Sequence, residues 1–132
     1  MDGRLVICGA SSVTNDYTLE IEAIRKRMVS SHTIECGQGW YPIIIACHKE
    51  LVAIDPDYEI VQIKEKFGGL RYYYSSNHHR KKEMFDIEMK YETLSFSVCE
   101  ETGKPGVRMK MKSRNWFKTL DPATAPEGWE VA

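Results

Sequence analysis

Residues 58–74 read Tyr58-Glu-Ile-Val-Gln-Ile-Lys-Glu-Lys-Phe-Gly-Gly-Leu-Arg-Tyr-Tyr-Tyr74. Two runs rich in β-formers flank Gly68-Gly69. That pattern predicts a hairpin, because a two-residue type I′ turn needs positive φ at both central positions. In this register Phe67 faces Leu70, Lys66 faces Arg71 and Lys64 faces Tyr73. Alternation then puts Lys64, Lys66 and Arg71 on one face, with Val61, Ile63, Phe67 and Leu70 on the other, the core face. Glu65 falls among the core positions, which requires a local partner or a place near the exposed tip.

Downstream, Ser75-Ser76-Asn77 punctuates the chain. Met84, Ile87, Tyr91, Leu94 and Val98 then recur at spacings of three and four, predicting a helix from about Lys81 to Val98 with one apolar face. Gly103, Pro105 and Gly106 end it. Val107-Arg-Met-Lys-Met-Lys112 alternates as a half-buried strand does, with Val107, Met109 and Met111 inward and Arg108, Lys110 and Lys112 outward. From Asp121 the chain carries Pro122, Pro126 and Gly128 and reads as an irregular tail.

Upstream, Asp55-Pro56-Asp57 stops a preceding element. That element, Ile43 to Ile54, reads as a buried helix with Pro42 at a tolerated first-turn position. Cys36-Gly-Gln-Gly-Trp40 reads as a turn. Tyr17, Ile21, Ile24 and Met28 mark another helical face, with Glu20 and Glu22 early and Arg25, Lys26 and Arg27 late, as the helix dipole prefers. Asn15, Asp16 and Thr18 are candidate N-caps. Leu5-Val6-Ile7-Cys8 reads as a short strand. These elements predict an α+β fold: a small antiparallel sheet holding the hairpin at about 58–74 and a strand at about 107–112, packed on two or three helices in one domain.

The 132 residues suit one domain, and 42% hydrophobic content with 28% charged residues is ordinary globular composition. Eighteen Lys+Arg against 19 Asp+Glu give a net charge of −1, so affinity for a polyanion must come from a local patch. No run approaches the roughly 20 apolar residues of a membrane span. Leu5–Cys8 is shorter than the apolar core of a signal peptide. A cytoplasmic protein is expected, with its four cysteines as free, mostly buried thiols.

Two constellations favour binding over catalysis. The hairpin face gathers Lys64, Lys66 and Arg71 beside Tyr73; opposed like charges are mildly destabilising, and such crowding suits an anion or an acidic partner. A solvated hairpin face is the plainer reading. From Lys104 to Lys118 lie Arg108, Lys110, Lys112 and Arg114 with no acidic residue, and with Trp116 and Phe117 inside the run. Cations beside aromatics suit phosphate contact with base stacking, an acidic protein surface, or simply a soluble strand face. His78-His-Arg-Lys-Lys82 reads as a solvated loop. Cys36-Gly-Gln-Gly-Trp40 lacks the Gly-Lys-Ser/Thr of a phosphate loop. Cys36 as a nucleophile would need a positioned base, for which His32 and His48 are the neighbours in sequence. No catalytic site is identified.

Three segments together carry a resemblance: Cys36-Gly-Gln-Gly-Trp-Tyr-Pro42, Gln62-Ile-Lys-Glu-Lys-Phe-Gly-Gly-Leu-Arg-Tyr72, and Cys99 through Leu120. They resemble a family of small phage and prophage proteins with a Cys-Gly-x-Gly-Trp turn, a Lys-Glu-Lys-Phe-Gly-x-Leu-Arg hairpin and a zinc-ribbon-like end. That end carries Cys-x-x-Cys-Gly and then Trp-x-x-Thr-Leu-Cys in the family. Here Thr102 stands at the second cysteine and Asp121 at the last, too few ligands for a closed structural zinc site. The resemblance implies a phage or mobile-element origin and no particular activity.

The expectation is a non-enzymatic, phage-encoded binding protein of the bacterial cytoplasm, with no cofactor. It would act through Lys64, Lys66, Arg71, Tyr73, Arg108, Lys110, Lys112, Arg114 and Trp116 on a host protein or ribonucleoprotein, such as a defence complex in the manner of an anti-CRISPR. Direct nucleic-acid binding and a thiol enzyme using Cys36 are the alternatives.

Overall fold

The computed structural model describes residues 17–30 and 32–132. The expected strand at 5–8 and the candidate caps Asn15 and Asp16 lie outside them. The fold is α+β, with helices α1 (Thr18–Arg27), α2 (Tyr41–Ile54) and α3 (Lys81–Ser95). Strands β1 (Ile34–Glu35), β2 (Glu59–Lys66) and β3 (Gly69–Ser75) form one sheet in that order. Strands β4 (Val107–Met111), β5 (Phe117–Leu120) and β6 (Trp129–Val131) form a second, ordered β5-β4-β6. The hairpin and the basic strand thus belong to separate sheets rather than one. The stretch after Asp121 is not wholly irregular: β6 pairs antiparallel with β4, Met111 opposite Trp129.

The helices follow from sequence periodicity. Ile21, Ile24 and Met28 are buried along one side of α1, whose N-cap position is Tyr17 rather than Thr18. In α2, Pro42 sits in the first turn, where its missing N–H costs nothing, and Ile43, Ile44, Ile45, Cys47 and Leu51 are buried. The third helix ends at Ser95, earlier than expected. Leu94, still inside the helix, is 44% exposed instead of continuing the apolar face. Ser95 turns inward, and its hydroxyl accepts the Leu70 N–H at 2.9 Å while donating to Glu92 O. By this contact α3 covers the outer edge of β3, which would otherwise leave ladder donors open.

The hairpin turn sits one residue earlier than the Gly-Gly pair suggests. Positive φ falls on Phe67 (54°) and Gly68 (87°), and Lys66 pairs with Gly69. The pairs are therefore Lys64–Arg71, Glu65–Leu70 and Ile63–Tyr72, not Lys66–Arg71 and Lys64–Tyr73. Gly69 is held out of the turn by packing: a Cβ there would meet the Phe96 ring at 2.4 Å. Phe67 takes the left-handed position at some strain and lies 57% exposed at the tip, not in the core. Glu65 finds the required local partner, its Oε2 accepting the Gly68 N–H at 2.9 Å. A bulge between Ile60 and Gln62 removes Val61 from the core face, so Ile60 and Ile63 both point inward at a spacing of three.

The main core joins α1, α2 and the inner face of the first sheet around Trp40, Tyr58, Tyr72, Leu51 and Ile63. A smaller cluster, Cys99, Met109 and Leu120 with Trp129 and Ala125, lies under the second sheet. The turn Cys36–Trp40 links them. The Gly39 N–H donates to Glu100 O at 2.7 Å, the Gly37 N–H to Glu100 Oε2 at 2.9 Å, and Trp40 Nε1 to Val98 O at 2.8 Å. A Cβ on Gly39 would stand 2.3 Å from Cys99 O. The two glycines exist for this close approach, and the turn's amides are turned onto Glu100 rather than toward a phosphate.

Candidate cationic binding face

On the outer face of the first sheet Lys64 lies directly opposite Arg71. Lys66 is two residues along the same strand, and its ammonium sits 5.7 Å from the Phe67 ring centre. Tyr73 is 38% exposed on the same face. The three cations share a face as expected despite the altered register. Moving a turn by one residue changes each pairing by two, and side chains alternate with period two, so the faces are conserved. Glu35 of β1, beside Lys64 in register, is an acidic neighbour on this face. The Nε of Arg71 is buried without a hydrogen-bond partner. Glu88 of α3 is raised by burial and by Glu92, while Arg71 pulls it down.

The second sheet divides the expected residues between its two faces. Arg108 and Lys110 stand on one face, opposite Thr119 and Phe117. The Arg108 guanidinium stacks 4.2 Å from the Phe117 centre. On this same face the buried Thr119 hydroxyl donates to Gly68 O at 2.6 Å. The hairpin tip is thereby fastened to the sheet face that bears Arg108 and Lys110. Trp116 belongs to the opposite side with Lys118, and Arg114 lies 4.8 Å over its ring. Lys112 follows the end of β4, exposed, its N–H donating to Gly128 O. Of the inward-facing expectations Met109 is buried, Met111 is half-buried, and Val107 is exposed because β4 begins beyond the cover of the small core.

Cation pairing is uneven over the described residues, and Lys26, Arg27, Lys81 and Lys104 lack a carboxylate within 4.0 Å among them. Arg25, Lys49, Arg80, Lys82 and Lys90 each reach a carboxylate within 4.0 Å, at Glu22, Glu20, Glu83, Asp86 and Glu50. Among the described residues, none of Lys64, Lys66, Arg71, Arg108, Lys110, Lys112 and Arg114 makes such a pair. In the second sheet only Lys118 is neutralised, by Glu100 at 3.5 Å and Glu101 at 3.9 Å.

Burial raises both the Cys36 and the Cys47 thiols. Burial and the carboxylate of Glu100 push Cys36 up to about 12, far from thiolate formation at neutral pH. The two neighbouring imidazoles are engaged elsewhere: His48 Nδ1 lies 2.7 Å from the Tyr58 hydroxyl and His32 Nδ1 2.8 Å from Arg25 O. At Cys99 burial raises the thiol. Hydrogen bonds from the Thr102 hydroxyl and from the backbone of Thr102, Asp121 and Glu101 outweigh it, and the net direction is down. Thr102 and Asp121 thus act as donors to the Cys99 sulfur. No group of three or more His, Cys, Asp or Glu suited to a metal occurs among the described residues.

Sequence reasoning missed the Thr119–Gly68 contact, a pairing 51 residues apart with no local signal. It also missed β5 and Trp129, hidden by the Pro- and Gly-rich composition around them. No helix among the described residues is long and apolar enough to cross a membrane. Set against family models, curated proteins and solved structures, the chain matches none.

Proposed function

We propose that this is a non-enzymatic binding protein that docks its cationic face on an anionic surface of a partner protein or ribonucleoprotein. The observation that carries this reading is the selective pairing of cations. Arg25, Lys49, Arg80, Lys82 and Lys90 on the helices and their ends reach a carboxylate within 4.0 Å, whereas among the described residues no cation of the hairpin or of β4 does, so these form the densest cluster of unpaired cations. Like charges set opposite one another, as Lys64 and Arg71 are, cost stability. Complementary charge from a partner relieves that repulsion and speeds encounter. The raised Cys36 thiol and the occupied imidazoles argue against nucleophilic catalysis.

The resemblance to phage and prophage proteins favours a bacterial cytoplasmic host as the setting and a host machine, such as a nucleic-acid-directed defence complex, as the target. The test is affinity capture from bacterial lysate, with and without nuclease treatment, with wild type and with Arg108→Glu/Lys110→Glu as paired baits. A protein retained by wild type, lost with the variant and released by salt is the expected result. Equal retention by both baits would refute the proposal. Retention abolished by nuclease treatment alone would favour the second reading, direct nucleic-acid binding, which the exposed Tyr73 and Trp116 beside the cations support.

A further inference from the structure

On the face of the second sheet away from the hairpin lies a cavity of about 440 Å³. This is within the usual range of ligand pockets. Its walls are mainly apolar: Trp116, Trp129, Met111, Leu120 and Pro126. The two indole rings stand 5.4 Å apart at 58°, an open aromatic corner rather than a closed stack. Two carboxylates, Asp121 and Glu101, also line it. Lys118 engages Glu101. One Asp121 oxygen accepts the Ala123 N–H at 2.9 Å, and among the described residues no hydrogen bond is made to its second oxygen. Lys118 lines the cavity too and offsets Glu101, leaving Asp121 as the cavity's unpaired carboxylate among the described residues, and outside it the nearby charges are cationic. Arg114 lies over Trp116 and the exposed Lys112 follows Met111, neither paired with a carboxylate among the described residues.

We propose that this cavity holds one amino-bearing base of a single-stranded nucleic acid, stacked in the Trp116–Trp129 corner. The Asp121 carboxylate accepts the base's exocyclic amino hydrogen, and Arg114 and Lys112 meet the flanking phosphates. The arrangement of charge selects this ligand class. An aromatic corner accepts any planar ring, but an interior acceptor favours cytosine or adenine over thymine. A cationic rim requires negative charge on both sides of the base, as in a strand. The site is separate from the proposed docking face, since Arg108 and Lys110 project from the other side of the sheet.

The test is quenching of tryptophan fluorescence, read with oligo(dC), oligo(dT) and dCMP at low salt; the buried Trp40 supplies a constant background. Saturable, salt-sensitive quenching by oligo(dC), at least about tenfold tighter than by oligo(dT), is expected. That preference should vanish in Asp121→Asn. Trp129→Ala should weaken binding at least about tenfold, and Trp129→Phe should restore most of it. Where Trp129→Ala lowers the melting temperature, Arg114→Ala, an exposed change, decides instead. No quenching by either oligonucleotide, or wild-type affinity in Arg114→Ala, would overturn the proposal. Equal affinity for oligo(dT) would overturn the role of Asp121. A dCMP affinity matching oligo(dC) would overturn the assignment to a strand. Loss of the docking partner in Arg108→Glu/Lys110→Glu with quenching intact would separate the two sites.

Discussion

The Thr119 hydroxyl is one of the few side-chain groups joining the two sheets, and it is fully buried against Gly68 O. Thr119→Val keeps the shape and deletes the donor, leaving a buried carbonyl unsatisfied, so stability should fall by about 1–3 kcal/mol. Urea unfolding measures this, and an unchanged midpoint would show that the tip is held by other contacts. A second residue-scale effect lies at His48. Burial lowers this imidazole below its ordinary value of 6.5, with help from Arg27 and Lys49. The unfolded chain therefore binds a proton here more readily than the folded one, and stability from this group is full above pH 6.5 and lost as the pH falls below it. Glu88 and Glu100 are raised and act with the opposite sign. The contribution of His48 is isolated by difference: His48→Gln should flatten the fall in melting temperature between neutral and mildly acidic pH. A parallel fall in both proteins would contradict it.

Among the elements, α1, α2 and the hairpin are legible because periodicity and turn chemistry are local. The hairpin register is not, because Gly69 is needed under the Phe96 ring, and that contact joins positions far enough apart that no turn rule encodes it. The faces of the hairpin survive the error because a one-residue displacement of the turn preserves parity. The division of the basic run between two sheet faces was equally hidden, since it depends on β5, whose four residues Phe117–Leu120 carry no clean alternation. The Cys36–Trp40 turn reads as a phosphate loop manqué in sequence and as a seat for the Cys99–Gly103 turn in the structure. Gly39→Ala should therefore destabilise by about 1–3 kcal/mol through overpacking against backbone. Thermal melting checks this, and a neutral effect would mean that the two turns separate easily.

For the whole molecule, a net charge of −1 conceals a local cluster of cations on the hairpin and β4 that reach no carboxylate within 4.0 Å among the described residues. The four cysteines should titrate as four free thiols under denaturing, non-reducing conditions, with Cys36, Cys47 and Cys99 all unpaired among the described residues. Finding two or none in fresh protein would contradict this. Rim charges act mainly on association and its salt dependence, so their removal should weaken binding while leaving the fold intact. The most direct measurement is the affinity of Lys64→Glu/Lys66→Glu/Arg71→Glu for the captured partner at two salt concentrations, beside a thermal melt. The account predicts a loss of affinity that is largest at low salt, with cooperative unfolding retained and at most a modest fall in melting temperature, because the reversed pair still repels and now faces Glu35 and Glu88. Wild-type affinity at both salts with an intact melt would contradict it and reduce the hairpin face to a solvated surface.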